Sequence, residues 1–477
     1  MHDLELYAGR WIVVDEKGQI VAVARDGEEA LRLAHSRLPK ERARLYRVTA
    51  HPPHLALPRA PLHLVFTLAA PKPVWIVGGA VRDLLRDEAP HDWDFVLPQG
   101  ASALARRVAD SLGGVYYPLD AERDTARVLH NGLPLDFAAL RGASLEEDLR
   151  LRDFTINAMA LPPDGPLVDP LGGLDDLRAA RLRQTSPHAF ADDPVRLLRA
   201  IRLAAAHRFA IDYATWQQLC RDAALLPQTA VERIREELMQ IVTLPAADLA
   251  LRRMKESGLL RQALPPLDGL PRGVWNRALE HLSAAERLIA GLQRGEASTP
   301  RLLRPYRTDL LAYLAVEEEQ GVSRAALIKW GTLLTAVPLQ SGLDLFGKLR
   351  FARRSIRFLG AMLESYIRLA DLPAAPDRRA IYRFFHQGGE AAEAAVLLAL
   401  AEGEHPPVAP LFEAAFRHRE RMIAPPPLLD GHDLIALGIP AGPRIGRLLA
   451  ALEEAQAAGE ITSREEAVAF IRRHREA

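Results

Sequence analysis

The sequence predicts an α+β protein in three parts: a small ββαβ module, a head built on a mixed β-sheet, and a long all-helical arm. Two observations carry this expectation. From about residue 61 to 184, short apolar strand-like runs alternate with helical runs. After residue 185 the strand signals stop, and periodic helical segments run to the end, broken by Pro or Gly near 265–273, 321, 337–347, 373–376, 405–410 and 424–431. The length of 477 residues suits about three domains.

In chain order, GRWIVVD and QIVAVAR read as strands joined at Glu16-Lys17-Gly18, GEEALRLAHSRL as an amphipathic helix, and ARLYRVTA as a third strand. This module, residues 1–50, holds no cluster of catalytic residue types. The Pro-rich stretch HPPHLALPRAP reads as a linker. In the head, LHLVFTLA, VWIVGG, DWDFVLP, VYYPL, TARVLHNG and PLDFAAL read as strands, and AVRDLLR and ASALARRVADSLG as helices.

Composition narrows the function classes. A hydrophobic fraction of 49% allows sizeable cores. The single cysteine, Cys220, permits no internal disulfide and no Cys-based zinc site. The start MHDLELYAGRW lacks the features of a signal peptide and no long apolar run occurs, so a cytoplasmic protein without a membrane span is expected. Acidic and basic residues balance at 61 each, so nucleic-acid binding would rest on local patches. Those patches would be arginine, because lysine occurs only at 17, 40, 72, 255, 329 and 348.

The chemistry starts in VWIVGGAVRDLL. A strand runs into Gly78-Gly79 and then a helix, a corner where backbone can approach a ligand and helix-start amides attract polyphosphate. Arg82, one turn in, would reach the same phosphates. In HDWDFVLP, Asp92 and Asp94 share one strand face while Trp93 and Phe95 take the other. Two carboxylates side by side repel each other and call for a cation. Mg²⁺ suits them, since it binds one or two carboxylates together with substrate phosphate, and two such ions can serve phosphoryl chemistry. Asp136 is a candidate third acid, and Glu122 a weaker one.

These residues also carry a resemblance. GGAVRD, DWD, LRDFTINAMA (151–160), DPLGGLDDL (169–177), DDPVRLLRAIRLAA (192–205) and VERIREEL (231–238) resemble, in order and spacing, the motifs of the class II tRNA nucleotidyltransferase/poly(A) polymerase family of bacterial type. The tail LLDGHDLIALGIPAGPRIG resembles that of CCA-adding members. The resemblance implies a nucleotidyltransferase head (61–184), a helical neck that recognises the base (185–250), a helical body (251–372) and a tRNA-binding tail (373–477). It implies template-independent addition of C and A, from CTP and ATP, to the acceptor end of tRNA, with Mg²⁺. CC-only, A-only and poly(A) addition share the head motifs, and a non-catalytic RNA-binding protein is the reading from another class. No membrane or protein partner is implied.

Within the motif series, Arg152, Asp153 and Asn157 are expected to hold the incoming nucleotide from one helical face. DPLGGLDDL would be a hinge. Asp193-Pro194 starts a helix on which Asp193 and Arg196 stand side by side. A carboxylate beside a guanidinium accepts from an exocyclic amine and donates to a ring nitrogen, the pattern of C and A but not of U and G. Arg199 and Arg202 join this nucleotide-binding set by resemblance, and VERIREEL would brace the base-reading helix. Two positions depart from the family pattern: Leu151 stands where an arginine is usual, and Asp192 where a glutamate is usual.

In the arm, LIKWGTLLTAV resembles the helix that carries a His-Asp metal pair in phosphohydrolase-bearing relatives. Thr335-Ala336 occupy the pair's place, so no phosphohydrolase activity is expected, and His281 reads as a lone packing histidine. RLLRPYR, KLRFARRSIRF, RRAIYRFF and RHRER mix arginine with aromatics and are candidate RNA contacts. GIPAGPRIG would start a helix able to take a phosphate.

Overall fold

The computed structural model describes residues 10–14, 20–24, 27–35, 44–48, 59–163, 165–403 and 408–474. The chain divides into two compact units, residues 1–225 and 226–477. In the first, β1 (Arg10–Val14), β2 (Ile20–Ala24) and β3 (Arg44–Val48) form an antiparallel sheet in the order β2-β1-β3. Helix α1 (Gly27–His35) lays Ala30 and Ala34 against Val13, Ala22 and Ala24. The expected ββαβ order is the one found. The Glu16-Lys17-Gly18 turn, most of the Pro-rich linker and part of the 405–410 break lie outside the described residues.

The head opens with a helix, α2 (Arg59–Ala69), where LHLVFTLA suggested a strand. Leu62, Val65 and Ala69 are its buried residues, three and four apart and so on one helical face. The nearly continuous apolar run hid that spacing. Next come β4 (Trp75–Val77), α3 (Gly79–Leu84), β5 (Trp93–Leu97), α4 (Ala101–Leu112), β6 (Val115–Asp120), β7 (Thr125–His130), β8 (Leu133–Ala139), α5 (Leu145–Arg150) and β9 (Ala160–Leu161). Six of these elements form one sheet in the order β6-β7-β8-β5-β4-β9. It is mixed: β5 runs parallel to β8, and the other neighbours pair antiparallel.

Alternation along the strands gives the sheet two faces. One is dry: Trp93, Phe95, Leu97, Ala126, Val128, Leu135 and Phe137 are buried, with the Phe95 and Phe137 rings stacked at 5.0 Å. Helix α4 contributes Leu104, Ala105 and Val108 to that layer. The opposite face is covered only in part, where Val77 and Val96 meet Leu145 and Leu149 of α5. Asn131 (φ 50°) and Gly132 (φ 79°) close the β7–β8 hairpin with left-handed backbone at both positions. That two-residue turn sets the register that places Arg127 opposite Asp136.

Beyond the sheet lie α6 (Gly173–Arg178), β10 (Arg181–Leu182), α7 (Ala189–Asp192), α8 (Arg196–Ala206), β11 (Ala210–Ile211) and α9 (Tyr213–Asp222). Strands therefore do not end at residue 185, since β10 and β11 pair in parallel. Among the described residues the second unit is helical apart from a hairpin, Glu317–Glu319 with Val322–Ser323, turning at Gly321 (φ 76°). Helix Val231–Thr243, expected to brace the base-reading helix, belongs to this unit and packs on helix Arg324–Leu334. Lys329 Nζ donates to the terminal carbonyls of Thr243 and Leu244, 3.2 Å each, and lies 3.7 Å from Glu286. A cation at the negative end of a helix stabilises it.

Candidate active site on the open sheet face

β5 carries Asp94 between two neighbours, antiparallel to Val77 and parallel to Asp136. Asp92 is exposed just ahead of the strand. Trp93 and Phe95 enter the dry layer and Asp94 takes the other face, where the Asp92 charge acts on it. Among the described residues, neither carboxylate accepts a hydrogen bond or an ion pair. Burial pushes the Asp94 carboxyl up to about 6, the Asp92 charge adds to that, and Arg152 opposes it.

The Gly78-Gly79 corner makes room for this carboxylate. A Cβ on Gly78 would lie 2.5 Å from Asp94 Oδ2 and 3.4 Å from an Arg152 Nη, and the backbone is left-handed there, φ 72°. A Cβ on Gly79 would lie 3.4 Å from Arg82 Nη2, so that guanidinium curls over the corner. Among the described residues no group of three or more His, Cys, Asp or Glu side chains is arranged to hold a metal ion. Two under-neutralised carboxylates nevertheless fit a hard divalent cation that takes its remaining oxygens from phosphate and water.

Asp136 faces Asp94 across β5 and β8, but Arg127 grips it with two hydrogen bonds of 2.7 Å. Its charge is met, unlike that of the other two. Glu122 sits in the β6–β7 turn, its N–H donating to Asp120, and is not among the groups that shift Asp94. The acid that organises this turn is Asp124, whose carboxylate accepts from the N–H groups of Gly100, Ala101 and Ser102 at 2.8 Å and so holds the start of α4.

A buried polar chain extends from the corner. Arg82 Nε donates to Asp83 and its Nη1 to Asn157 Oδ1, both at 2.9 Å. Asn157 Nδ2 donates to Asp153 Oδ1 at 3.1 Å, and Arg199 Nη1 to Asp153 Oδ2 at 3.3 Å. Burial alone would raise the Asp153 carboxyl; Arg199, Asn157 and the Phe154 N–H outweigh it and hold it below its ordinary range. Asp153 and Asn157 meet as expected, although not across an α-helical turn: Thr155–Asn157 is a 3₁₀ turn entered from extended Phe154. Arg152 belongs instead to Asp148, at 3.2 and 3.1 Å. Leu151 is exposed and supplies only its carbonyl to this region.

One expectation needs correction. Asp193 is not on the helix with Arg196; it has extended backbone (φ −153°) after α7, and α8 begins at Arg196, whose N–H donates to the Asp193 carbonyl. The Arg196 guanidinium is buried and donates to the carbonyls of Leu151, Arg152 and Ala189 at 2.8, 3.3 and 3.1 Å. Arg199 and Arg202 follow on α8. The DPLGG segment, expected as a hinge, forms a packed corner in this structure. Asp169 is buried and accepts from Gly173 N at 2.7 Å and Leu174 N at 3.0 Å, and a Cβ on Gly173 would fall 2.1 Å from the Thr155 carbonyl oxygen.

The arm is corrected in the same way. His281 is not alone: its Nδ1 lies 3.3 Å from Glu402 Oε1, Thr335 Oγ1 donates to the same oxygen at 3.3 Å, and Tyr366 OH donates to Oε2. The aromatics of the arginine-rich segments are core residues. Tyr306, Phe351, Phe358, Tyr382, Phe384 and Phe385 are all buried, so none presents a ring face to a base.

The sequence of residues 74–144 and 141–183 matches the family described as "Poly A polymerase head domain", and residues 208–270 match "Probable RNA and SrmB- binding site of polymerase A". A CC-adding tRNA nucleotidyltransferase of Geobacter sulfurreducens is 35% identical, over 83% of this chain and 91% of its own length. An A-adding tRNA nucleotidyltransferase of Deinococcus radiodurans is 34% identical over 83% and 94%. This chain belongs to the tRNA nucleotidyltransferase/poly(A) polymerase family. A CCA-adding enzyme of Geobacillus stearothermophilus is more distant, at 27% over 83% and 91%. Two solved structures share the fold: a CCA-adding enzyme in its apo form I (TM-score 0.64, 23% identity, 88% of this chain and 95% of that one) and the Thermotoga maritima CCA-adding enzyme complexed with tRNA (0.60, 24%, 88% and 96%). Among the described residues no helix is long and apolar enough to cross a membrane.

Sequence reasoning missed Arg127 and Asp148. Arg127 was within reach, because counting outward from the Asn131-Gly132 turn puts it opposite Asp136. Asp148, buried and holding both Arg141 and Arg152, gave no signal in an acidic helix start.

Proposed function

We propose that this chain transfers nucleotides from CTP and ATP to the 3′ end of tRNA without a template, building CCA. The observation that carries the reading is the unpartnered Asp92–Asp94 pair beside a glycine corner that admits nothing larger. Asp92 and Asp94 would hold Mg²⁺, which supplies activation of a 3′-hydroxyl and charge neutralisation on the leaving pyrophosphate. Gly78, Gly79 and Arg82 would meet the triphosphate, and Asp153, Asn157 and Arg199 the rest of the nucleotide. Asp193 and Arg196 would select C and A by their shared donor and acceptor pattern. Three of the five Arg196 N–H groups hold the carbonyls of Leu151, Arg152 and Ala189, and its Nε–H and second Nη2–H are the donors left for a base.

A second reading, CC-only or A-only addition, is supported by the names of the relatives at 31–35% identity along most of the chain. One experiment separates the readings: incubation with tRNA lacking CCA, ending in CC, or complete, followed by sequencing of the products with each nucleotide. Incorporation of C and then A supports CCA addition. Stopping after CC, or adding A only to the CC-ended substrate, assigns the narrower activity, and no incorporation overturns both. Asp193→Ala should lose roughly ten- to a hundred-fold in preference for C and A over U and G, the worth of a charged hydrogen bond. An equal fall with all four nucleotides would reduce Asp193 to a structural residue.

A further inference from the structure

The face that carries the carboxylates does not end at Asp136. Across β5, β8, β7 and β6 the register aligns Asp94, Asp136, Arg127 and Tyr117, so four side chains stand in one row on one face. Tyr117 is 45% exposed; Val115, its neighbour on that face of β6, is 53% exposed, and Leu119, at the register break that follows, 55%. Leu129, paired with Val115, is 36% exposed. Three strand spacings, about 14 Å, separate Tyr117 from Asp94. Helix α5 covers this face only around Val96 and Ala138, leaving the row open.

We propose that this shelf seats the 3′-terminal nucleotides of the acceptor RNA, with a base stacked on Tyr117 and a phosphate met by Arg127. The inference rests on the nucleotidyltransferase reading and adds to it where the primer strand lies. Three features select RNA as the occupant. The shelf is continuous with the carboxylates at which a 3′-hydroxyl must arrive. An aromatic ring on an open sheet stacks any base, which suits a strand whose last nucleotide changes with each addition. Arg127 bonds Asp136 through Nε and one Nη yet keeps a side chain 45% exposed, so its remaining N–H groups stand between ring and carboxylates, able to donate to a phosphate. The buried aromatics of the arm offer no such surface.

The test is steady-state nucleotide addition to tRNA lacking CCA by wild type, Tyr117→Ala and Tyr117→Phe, with sedimentation and melting measured alongside. Tyr117→Ala should raise KM for tRNA about ten-fold or more, as loss of one stacked base requires. Its kcat, its KM for nucleotide and its melting temperature should stay near wild type, and Tyr117→Phe should restore KM. An unchanged KM for tRNA in Tyr117→Ala overturns the shelf while leaving the function intact. A fall in kcat and melting temperature without a KM change assigns Tyr117 a merely structural role and also overturns it. A concentration-dependent dimer that the alanine variant loses, with KM unchanged, makes the shelf a contact between copies of the chain and overturns it. A wild type that adds no nucleotide to any tRNA overturns the functional reading, and this one with it.

Discussion

Asp94 on β5 and Glu402 in helix Ala392–Glu402 are carboxylates kept largely from water, yet their surroundings treat them in opposite ways. Around Glu402, His281, Thr335 and Tyr366 each direct a polar group at one of its oxygens. Around Asp94 the strongest charge effect comes from another acid, Asp92, and the glycine corner keeps even a methyl group at bay. Buried polar groups are normally satisfied because an unmade hydrogen bond is costly. A cluster that satisfies itself therefore reads as structure, and one left under-neutralised in an open face reads as a place for a ligand.

The strongest way to break this comparison is to remove the unsatisfied acids. Asp92→Ala and Asp94→Ala should each lower nucleotide addition by about 10³-fold or more, with tRNA affinity within a few-fold of wild type. Near-normal turnover in Mg²⁺ for either variant would move the active site elsewhere. Gly78→Ala should come next, at about a hundred-fold, because its Cβ would displace Asp94 Oδ2 by the order of an ångström. Circular dichroism of this variant should still show a folded chain.

Stability sharpens the contrast. The Asp94 carboxyl stands at about 6 in the metal-free fold, above the ordinary 3.8 it takes on unfolding. Between those values the folded state holds the extra proton, so Asp94 costs stability progressively as pH rises from about 4 to 6, and the loss persists above. In EDTA, Asp94→Asn should be more stable than wild type by roughly 1–2 kcal/mol at pH 7–8, the gain vanishing below pH 4. A denaturant titration at the two pH values checks the sign. The smallest effect belongs to the other cluster. Glu402→Ala should lower the melting temperature by a few degrees, about 1–2 kcal/mol, without changing nucleotide addition. Neither this variant nor wild type should hydrolyse cyclic or 2′-phosphate esters with added Mn²⁺ or Ni²⁺, and metal-dependent hydrolysis by the full chain would show that the polar cluster is not the inert one.

Much of the head was legible because its signals are local. The i, i+2 spacing of Asp92 and Asp94 needs only a strand, and Gly78-Gly79 needs only the corner that follows one. The ββαβ module followed from alternation and turn residues in the same way. What failed was what depends on partners far along the chain. LHLVFTLA turned out a helix because its apolar face meets α4. Arg196 lies beside Asp193 in sequence, but its guanidinium goes to carbonyls up to 45 residues away. The closeness of the Thr155 carbonyl to Gly173 could not be read from the DPLGG segment, because only the fold brings the two together. The arginine-aromatic segments of the arm fit an RNA surface by composition, yet amphipathic helices turn the rings inward, and composition alone carries no direction.

β6 is the outer strand of the six-stranded sheet on its side, and it bears three exposed large apolar side chains, Val115, Tyr117 and Leu119. A bare strand edge with such side chains invites a strand from a neighbouring molecule, the first step towards aggregation. Pro118 sits in the middle of β6 and has no N–H to offer, and the pairing register breaks between Pro118 and Asp120. A neighbouring chain therefore finds neither a continuous row of donors nor a flat edge to lie along. Placing proline between Tyr117 and Leu119 lets the protein keep these side chains in water at working concentrations without joining sheet to sheet.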